Sequence, residues 1–436
     1  MPSWRGEYES KIVSIEEALS HVRSGDFIVS TNNAGTPATI LDKLYDRIDE
    51  LDSLEVFISI PLRGMRLFLP QSAEKFKLIT PFIGAMDREF MKRGTKVHYV
   101  PQHLSDVPGN MSEVKPGGVA IMMCTPPDGN GDISFGLSPL DASVVKGARL
   151  KIAQVNENVP FVKGEGMQCK LDDFDFIVDL TEELPTIDAG PPSVTDEKIA
   201  GLIMPYIPDG ACIQLGIGGL ANAVGSFLKD KKELGIHTEM FVESMVDLIE
   251  CGAVTNSRKP FDKGISILGF GLGSKRMLDF ADGNPAIESR SFGYVNDPCV
   301  IRQIDNFISI NATMAVDLFG QCYSESIGFR QYSGTGGQAD FVRGARHSKG
   351  GRSFVCTPSV MKKKDGTLAS KIVIANEPGT VVTTLRSDVQ YVVTEYGVAY
   401  LTADTIENRA KKLIGIAHPD FREQLTAEAK EVGIIS

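Results

Sequence analysis

The two halves of this chain repeat one order of elements, and this internal repeat constrains the fold more than any other feature. In the first half, Ser14 carries the Ser-x-x-Glu signature of a helix start, and 25–30 reads as a short strand after a turn. In the second half, Ser193 begins a helix, 210–215 reads as a strand, and the glycine-rich turn 216–219 leads into another helix. The repeat predicts two domains of similar fold.

The boundary between these domains is predicted near residue 190, because 184–192 is rich in residues that break helices and strands. We therefore expect an N-terminal domain over 1–190 and a C-terminal domain over 191–436. Strand-like runs alternate with helical segments, which favours an α/β fold with mainly parallel or mixed sheets covered by helices. In such sheets ligands bind at the carboxyl ends of the strands, so glycine-rich turns there are candidate sites. The strand-like runs include 54–60, 118–124, 176–180, 265–268, 352–357 and 391–394.

The charge balance and the scattered cysteines and histidines exclude several classes of protein. Lys and Arg number 45 and Asp and Glu 56, for a net charge of −11, whereas a nucleic-acid protein needs a basic footprint. The cysteines form no Cys-x-x-Cys pair and the histidines no i, i+4 pair, so neither disulfides nor a bound metal is expected. Residues 1–20 lack the apolar stretch of a secretory signal, and no apolar run is long enough for a membrane span. We expect a cytoplasmic protein.

A glycine-rich turn follows the predicted strand of the second half and precedes a helix. Glycines let the backbone approach a ligand and point N–H groups at it, which suits an anion or a developing oxyanion. The turn lacks the spacing of a dinucleotide fingerprint and the ending of a P-loop, so a purely structural turn is an equally open reading. The candidate residues are Gln214, Leu215, Gly216, Ile217, Gly218 and Gly219.

Glu239 lies a short distance downstream, just before what reads as the edge of another strand. A carboxylate there can be a nucleophile that forms a covalent acyl intermediate. At an exposed mouth its pKa of about 4.3 leaves it ionised at pH 7, so no general base is needed. A solvated glutamate without a chemical role is the alternative, and Glu243, Asp247 and Glu250 nearby keep that alternative open.

A second glycine-rich turn, 332–337, lies shortly before a stretch of Arg and Lys residues from Arg343 to Arg352. This local basic stretch in an acidic protein suits the phosphate groups of a nucleotide-like ligand. A run of charges is more often only a solvated face, and that reading also stays open.

Several of these segments occur together, in the same order and spacing, in the acetyl-CoA hydrolase/transferase family, which this chain resembles over nearly its whole length. The resemblance is to the 4-hydroxybutyrate CoA-transferase branch of that family. It implies two tandem, similar α/β domains of the CoA-transferase (NagB/RpiA-like) type, in agreement with the repeat. The shared segments are Gln214-Leu-Gly-Ile-Gly-Gly219, His237-Thr-Glu-Met240, Ser309-Ile-Asn-Ala-Thr313, Gly334-Thr-Gly-Gly-Gln-Ala-Asp-Phe-Val-Arg-Gly344 and Ser348-Lys-Gly-Gly351.

The resemblance implies an enzyme that transfers coenzyme A between an acyl-CoA, such as acetyl-CoA or butyryl-CoA, and a short-chain carboxylate such as 4-hydroxybutyrate. In the family, the glutamate that matches Glu239 becomes a mixed anhydride and then a glutamyl-CoA thioester. Backbone N–H groups of the two glycine turns stabilise the oxyanion, and they match Ile217 in the first turn. The other positions that the resemblance assigns to the oxyanion or to CoA are Asn311, Gly334, Gly336, Gly337 and Lys349.

Coenzyme A is then a co-substrate, with no metal and no nucleotide redox cofactor, and the resemblance implies a homodimer or higher homo-oligomer. The sequence Val242-Glu243-Ser244-Met245 departs from the branch pattern and leaves the preferred carboxylate open. Other readings are an acyl-CoA hydrolase of the same fold and a non-catalytic acyl-CoA binding protein. A dehydrogenase reading rests on the glycines of 269–274 and fails for want of a strand-turn-helix fingerprint with an acidic residue about 20 positions on.

Overall fold

The computed structural model describes residues 4–114, 117–138, 140–188 and 190–436. Two compact units are present: Met1–Asp188 with Ile267–Val295, and Ala189–Ser266 with Asn296–Ser436. Residue 189, inside the predicted linker, lies outside the described residues.

The segment 267–295 groups with the first unit because its backbone is tied to that unit. Gly283 N donates to Phe161 O at 2.9 Å, and Ser289 N donates to Lys163 O at 2.8 Å. The expected division of the chain into domains 1–190 and 191–436 stays a prediction. In the structure, the segment 267–295 also groups with the first unit.

The helices and strands alternate along both units. The helices are α1 (Trp4–Lys11), α2 (Ile15–Ser20), α3 (Ala38–Lys43), α4 (Ala85–Lys92), α5 (Val107–Val114), α6 (Ala142–Gly147), α7 (Val194–Ile203), α8 (Gly219–Leu228), α9 (Glu243–Glu250), α10 (Lys275–Ala281), α11 (Phe292–Val295), α12 (Pro298–Ile301), α13 (Gln338–His347), α14 (Ile406–Ile416) and α15 (Pro419–Glu431). The strands are β1 (Phe27–Ser30), β2 (Leu54–Phe57), β3 (Phe76–Thr80), β4 (Val97–Tyr99), β5 (Val119–Cys124), β6 (Asp132–Ser134), β7 (Leu150–Val155), β8 (Gln168–Lys170), β9 (Phe176–Asp179), β10 (Cys212–Leu215), β11 (Gly235–Phe241), β12 (Ser266–Gly271), β13 (Ile287–Ser289), β14 (Phe307–Ala312), β15 (Ala315–Asp317), β16 (Cys322–Tyr323), β17 (Ser326–Ile327), β18 (Arg330–Gln331), β19 (Arg352–Cys356), β20 (Val360–Lys362), β21 (Leu368–Ser370), β22 (Ile372–Val373), β23 (Tyr391–Thr394) and β24 (Gly397–Tyr400).

The first unit is built on a seven-stranded sheet in the order β4-β3-β2-β1-β5-β7-β9, and every pairing in it is parallel. Successive strand residues point to opposite faces of the sheet. Ile28 and Val29 on β1 therefore belong to two different hydrophobic clusters, one on each face. Both faces are covered, as the near-continuous apolar strands predict.

The second unit contains the strands β11-β10-β14-β19-β23-β24 side by side. The first five of these are parallel, and β24 returns antiparallel to β23. The predicted α/β fold class is confirmed. In both sheets the first strand of the repeat, β1 or β10, lies between two parallel neighbours.

The helices that begin the two copies of the repeat are capped by the predicted serines. The Ser14 hydroxyl accepts a hydrogen bond from Glu17 N at 3.1 Å. Ser193 forms a complete capping box with Asp196. Each helix is followed by a strand, a tight turn and a second helix, so the predicted element order is present in both halves.

Two local predictions differ from the structure. Residues 237–239 are not a segment before a strand but lie inside β11, where His237 and Thr238 are fully buried. The glycine pattern 269–274 runs from a strand, β12, to a helix, α10, so a strand, a turn and a helix do follow one another there. Gly269 and Gly271 lie in the strand itself rather than in the turn, and this placement differs from that of a dinucleotide-binding loop.

In the described ranges, no helix is long and apolar enough to cross a membrane. The same part of the chain contains no group of three or more His, Cys, Asp or Glu residues that could hold a metal ion.

Candidate active site

Glu239 lies in the carboxyl-terminal half of β11, beside the first glycine turn. The parallel partners Cys212 with Gly235 and Ile213 with Ile236 fix the register of β10 and β11. Continuing this register places Gly216 level with Glu239 on strands about 4.8 Å apart. The predicted nucleophile and the first glycine turn therefore meet at the same edge of the sheet.

Two donors hold the Glu239 carboxylate. Asn296 Nδ2 donates to Glu239 Oε2 at 2.7 Å, and the backbone N–H of Gly337 donates a second hydrogen bond. A Cβ at position 337 would lie 1.9 Å from Glu239 Oε2 and 2.1 Å from Asn296 Nδ2. This approach is possible only for glycine, so Gly337 is a requirement of the site.

Burial raises the pKa of Glu239 to about 7, and the charge of Asp340 adds to that rise while Asn296 and Gly337 oppose it. The side chain is only partly exposed, so the expectation of an ordinary carboxylate at an exposed mouth is wrong. Low-dielectric surroundings disfavour the charged form of a carboxylate. A carboxyl with such a pKa is partly protonated near pH 7.

A polar network joins β10 to β14 next to Glu239. Gln214 Oε1 accepts from Ser309 Oγ at 2.8 Å and from Asn311 Nδ2 at 3.1 Å. Asn311 Nδ2 also lies 2.9 Å from Ser309 Oγ. Gln214 is 3% exposed whereas Asn311 is half-buried, so the network anchors Gln214 internally and presents Asn311 at the edge. Gln214 thus lies on the strand beside β11, which carries Glu239, and Asn311 lies on the next strand.

The residues of the first glycine turn differ in their structural roles. Gly216 N donates to Ile310 O at 3.0 Å and continues the sheet, whereas the Ile217 side chain is 54% exposed. Gly218, at φ +99°, is the N-cap of α8. A Cβ on Gly219 would lie 2.6 Å from Asp196 Oδ2. Leu215 is buried beneath the turn, so its contribution is to packing.

The second glycine turn leads directly into α13. Gly334 is buried, Gly336 has φ +58°, and Gly337 is the N-cap of α13. The helix is fixed over the sheet by aromatic contacts: Phe341 stacks on Phe307 of β14, and the ring of Phe307 meets His237 of β11 edge-on, each with centroids 6.1 Å apart. This packing positions the start of α13 at Glu239.

Lys349 is not brought to this edge. Its carbonyl accepts from Asn306 N at 2.8 Å, just before β14 begins, and its ammonium lies 3.9 Å from Asp305. It therefore lies at the amino end of the strands, one strand length from Glu239.

Other members of the basic stretch are also engaged with the protein. Arg343 is 3.9 Å from Asp388, Arg346 donates to the Ser387 carbonyl, and Arg352 Nη1 donates to Tyr206 O at 2.8 Å. These contacts agree with the reading of the charges as surface or structural groups, and the contact of this stretch with CoA phosphates stays a prediction.

Asn296 and Asp340 were not among the candidates from the sequence. Asn296 is 57 residues from Glu239 in the chain, and no local pattern marks it. Asp340 had a usable signal, because it lies in the first turn of a helix that begins at a glycine turn.

Family comparisons match most of the chain. The acetyl-CoA hydrolase/transferase N-terminal domain matches residues 2–187, and the acetyl-CoA hydrolase/transferase C-terminal domain matches residues 273–429. Among curated proteins, the chain is 40% identical over 434 residues to succinyl-CoA:cyclohexane-1-carboxylate CoA transferase of Geobacter metallireducens, covering 99% of this chain and 98% of the relative. It is 38% identical over 433 residues to 4-hydroxybutyrate coenzyme A transferase of Clostridium kluyveri, covering 98% and 99%.

Solved structures agree with this assignment. The crystal structure of RipA from Yersinia pestis matches with a TM-score of 0.92 at 36% identity, covering 99% of each chain. A 4-hydroxybutyrate CoA-transferase from Porphyromonas gingivalis matches with a TM-score of 0.80 at 30% identity, covering 99% of this chain and 100% of that one. The fold and the full-length relatives define an enzyme of the CoA-transferase class. Within that class, the chain belongs to the acetyl-CoA hydrolase/transferase family.

Proposed function

We propose that this enzyme transfers coenzyme A between an acyl-CoA and a short-chain carboxylate through covalent intermediates on Glu239. The observation that carries the proposal is the placement of the Glu239 carboxylate, held by Asn296 and Gly337 at the edge where two glycine turns meet. Such backbone donors can stabilise a developing oxyanion. Relatives that act on 4-hydroxybutyrate and on cyclohexane-1-carboxylate support a carboxylate acceptor, and 4-hydroxybutyrate is our proposed example.

In the first half-reaction, a Glu239 oxygen attacks the thioester carbonyl carbon and forms a tetrahedral oxyanion. The C–S bond then breaks, CoA leaves as the thiolate, and an acyl-glutamyl anhydride remains. The thiolate attacks the Glu239 carbonyl carbon, which releases the first carboxylate and leaves a glutamyl-CoA thioester. The second carboxylate repeats these steps in reverse, and Glu239 is regenerated.

Donors in both turns are proposed to act on the oxyanion. The Ile217 N–H at the start of α8 and the Gly336 or Gly337 N–H at the start of α13 are the candidates, each near a helix N-terminus that favours negative charge. One such donor is worth about 3 to 4 kcal/mol in the transition state. Asn311 is proposed to contact the thioester, and Gln214 holds Asn311 in place.

Coenzyme A is the proposed co-substrate, without a metal or redox cofactor, in a cytoplasmic homo-oligomer. An acyl-CoA hydrolase is the second candidate. Acetyl-CoA hydrolase of Candida albicans is 33% identical to this chain over 219 residues, which are 49% of the chain. Sedimentation at micromolar concentration tests the assembly, and a monomer there would contradict it.

The decisive experiment separates the two activities and identifies the nucleophile. Purified enzyme is incubated with acetyl-CoA alone and with a panel of short carboxylates, and CoA release is followed. Transfer predicts release that depends on the acceptor; release without any acceptor would establish hydrolysis. Borohydride treatment of the acyl-CoA-treated enzyme should then reduce a thioester in the peptide that contains Glu239.

Two variants serve as controls for this trapping. Glu239→Ala should lose both the reduced peptide and the transfer activity, while Glu243→Ala, at the start of the neighbouring α9, should keep both. A tag on Glu243, or activity retained by Glu239→Ala, would contradict the mechanism.

A further inference from the structure

A second carboxylate of the same unit lies buried under the second glycine turn and has no role in the mechanism above. Glu325, just before β17, is 3% exposed. Its Oε1 accepts from Thr383 Oγ1 at 3.1 Å. Its Oε2 accepts from Gln331 Nε2 at 3.2 Å and from Thr335 Oγ1 at 3.3 Å. Three separate donors therefore converge on one carboxylate.

The backbone of Glu325 holds the same loop from its other end. The Glu325 carbonyl accepts from Tyr332 N at 2.8 Å and from Ser333 N at 3.0 Å. With the contact to Thr335, this single residue fixes both the beginning and the end of 332–335. The next two residues are Gly336 and Gly337.

Gly336 joins this loop to Gly337, the N-cap of α13. Gly336 lies in the left-handed region at φ +58°, where a glycine has a wide choice of conformations. Gly337 must nevertheless deliver its N–H to the Glu239 carboxylate within a space that excludes even a Cβ. Together with the packing of α13 on β14, the position of Thr335 therefore helps to set the direction of the Gly337 N–H.

We propose that Glu325 is a positioning residue for CoA transfer, which fixes 332–335 and thereby aims the Gly337 N–H at Glu239. A carboxylate suits the place, because it accepts on both oxygens and donates nothing. A glutamine would turn an N–H group toward at least one of the three donors. The kinetic part of this inference rests on the proposed function of Glu239, while the geometric part does not.

The test compares Glu325→Gln with Asp317→Asn as the matched control. Asp317 is another buried carboxylate of the same unit, 1% exposed, and it accepts from Tyr323 Oη at 2.7 Å and Gln321 Nε2 at 2.6 Å. The donors to its side chain belong to Phe319, Gln321 and Tyr323, outside the segment 332–337. Both variants replace a buried carboxyl group by an amide, but only the first changes a residue that contacts the glycine turn.

The first readout is the titration of the Glu239 carboxyl carbon in resting enzyme, followed by carbon-13 NMR with Glu239→Gln for assignment. The Gly337 N–H lowers the pKa of Glu239, so loosening the turn should move the midpoint upward in Glu325→Gln and leave it unchanged in Asp317→Asn. Asp340 on α13, the titratable group that acts on Glu239, and His237 on the same strand are intact in both variants.

The second readout is kinetic. A small displacement of a catalytic donor can cost about 10- to 100-fold in kcat, and we expect that loss in Glu325→Gln with little change in KM for the acyl-CoA. If Glu325→Gln does not fold, Thr335→Val removes one hydroxyl contact and Thr335→Ser restores it. We then expect the upward shift of the Glu239 midpoint and the loss of kcat in Thr335→Val but not in Thr335→Ser.

Two results would overturn the proposal. One is a folded Glu325→Gln or Thr335→Val enzyme in which Glu239 titrates as in the native protein. The other is an equal shift in Asp317→Asn. A shifted titration without a kinetic effect would instead retain the geometry and reject Glu239 as the nucleophile.

Discussion

The surroundings of Glu239 have opposing effects on the pKa of its carboxyl group. Burial and the nearby Asp340 favour the neutral acid, whereas the Asn296 amide and the Gly337 N–H favour the carboxylate. Burial is the largest of these, and the pKa of about 7 lies close to the working pH. A nucleophile so placed is less solvated than a surface carboxylate, and its protonation limits how much of the enzyme can react.

The first prediction concerns the pH dependence of catalysis. Only the ionised Glu239 can attack, so kcat/KM should rise as the pH rises through about 7 and level off above it. The rate should fall about tenfold for each pH unit well below that midpoint. The measurement is the pH profile of kcat/KM with saturating acceptor. A midpoint near 4.5 would show that burial does not act on this group in solution.

The second prediction concerns stability. An acid whose pKa is raised on folding stabilises the native state below its unfolded pKa, and that contribution is lost as the pH rises toward the folded pKa of about 7. Glu239→Gln removes the ionisable group, so it should stabilise the protein at pH 8 relative to the native enzyme by up to about 3 kcal/mol. Urea unfolding at pH 5 and pH 8 measures the difference. An equal effect at both pH values would contradict this account.

The third prediction tests the close approach at Gly337. Gly337→Ala places a methyl group 1.9 Å from Glu239 Oε2, so the carboxylate must move, and kcat should fall by about 100-fold or more. Gly415→Ala, inside α14 with nothing within 4 Å of the added Cβ, is the control and should keep full activity. Comparable activity of the two variants would show that the carboxylate has room to shift without loss.

At this scale the sequence identified a candidate residue but not its surroundings. Glu239 could be singled out because it follows a glycine turn and matches a family segment. The raised pKa of Glu239 could not be predicted from the sequence, because the groups that surround its carboxyl belong to α13 and Asn296, which are far from Glu239 in the chain. The pKa of a group depends on neighbours that only the fold assembles.

The helix α13 separates the basic stretch from the second glycine turn. It has 10 residues and at about 1.5 Å per residue spans about 15 Å. Its first turn lies beside Glu239, and its last turn leads the chain back to the amino end of β19. Lys349, although close in sequence to the second glycine turn, is separated from it by the whole length of this helix. The sequence gives the length of a helix, but the edge of the sheet that its end reaches follows only from the direction in which the helix runs.

The fourth prediction compares the caps of the two helices that begin the repeat. Ser193 Oγ donates to Asp196 Oδ2 at 2.7 Å and accepts from Asp196 N at 3.2 Å, and the Asp196 carboxyl lies close to Gly219 of the first glycine turn. Loss of an N-cap costs about 1 kcal/mol. Ser193→Ala should therefore lower both stability and activity, whereas Ser14→Ala should lower stability alone. Thermal unfolding and turnover of the two variants measure this, and equal activities would contradict the link to the turn.

At the scale of the whole molecule, the fold followed from the alternation of strands and helices and from the repeat. The predicted runs 118–124, 352–357 and 391–394 became β5, β19 and β23 with ends shifted by at most one residue. The grouping of 267–295 with the first unit could not be predicted, because it depends on hydrogen bonds to 161–163 that no local pattern encodes. Polar strand residues such as His237 were also missed, since their burial depends on the aromatic rings around them.

The near-neutral pKa of Glu239 also makes the resting enzyme a proton donor. At pH 7 about half of the molecules carry a proton on this carboxyl, and the acylated form carries none. The first acylation should therefore release about half a proton per site into the medium at pH 7 and almost none at pH 9. Calorimetry of acyl-CoA addition in buffers of different ionisation enthalpy would measure this release. Heat that is independent of the buffer would mean that no proton is released, and it would contradict a near-neutral pKa of Glu239.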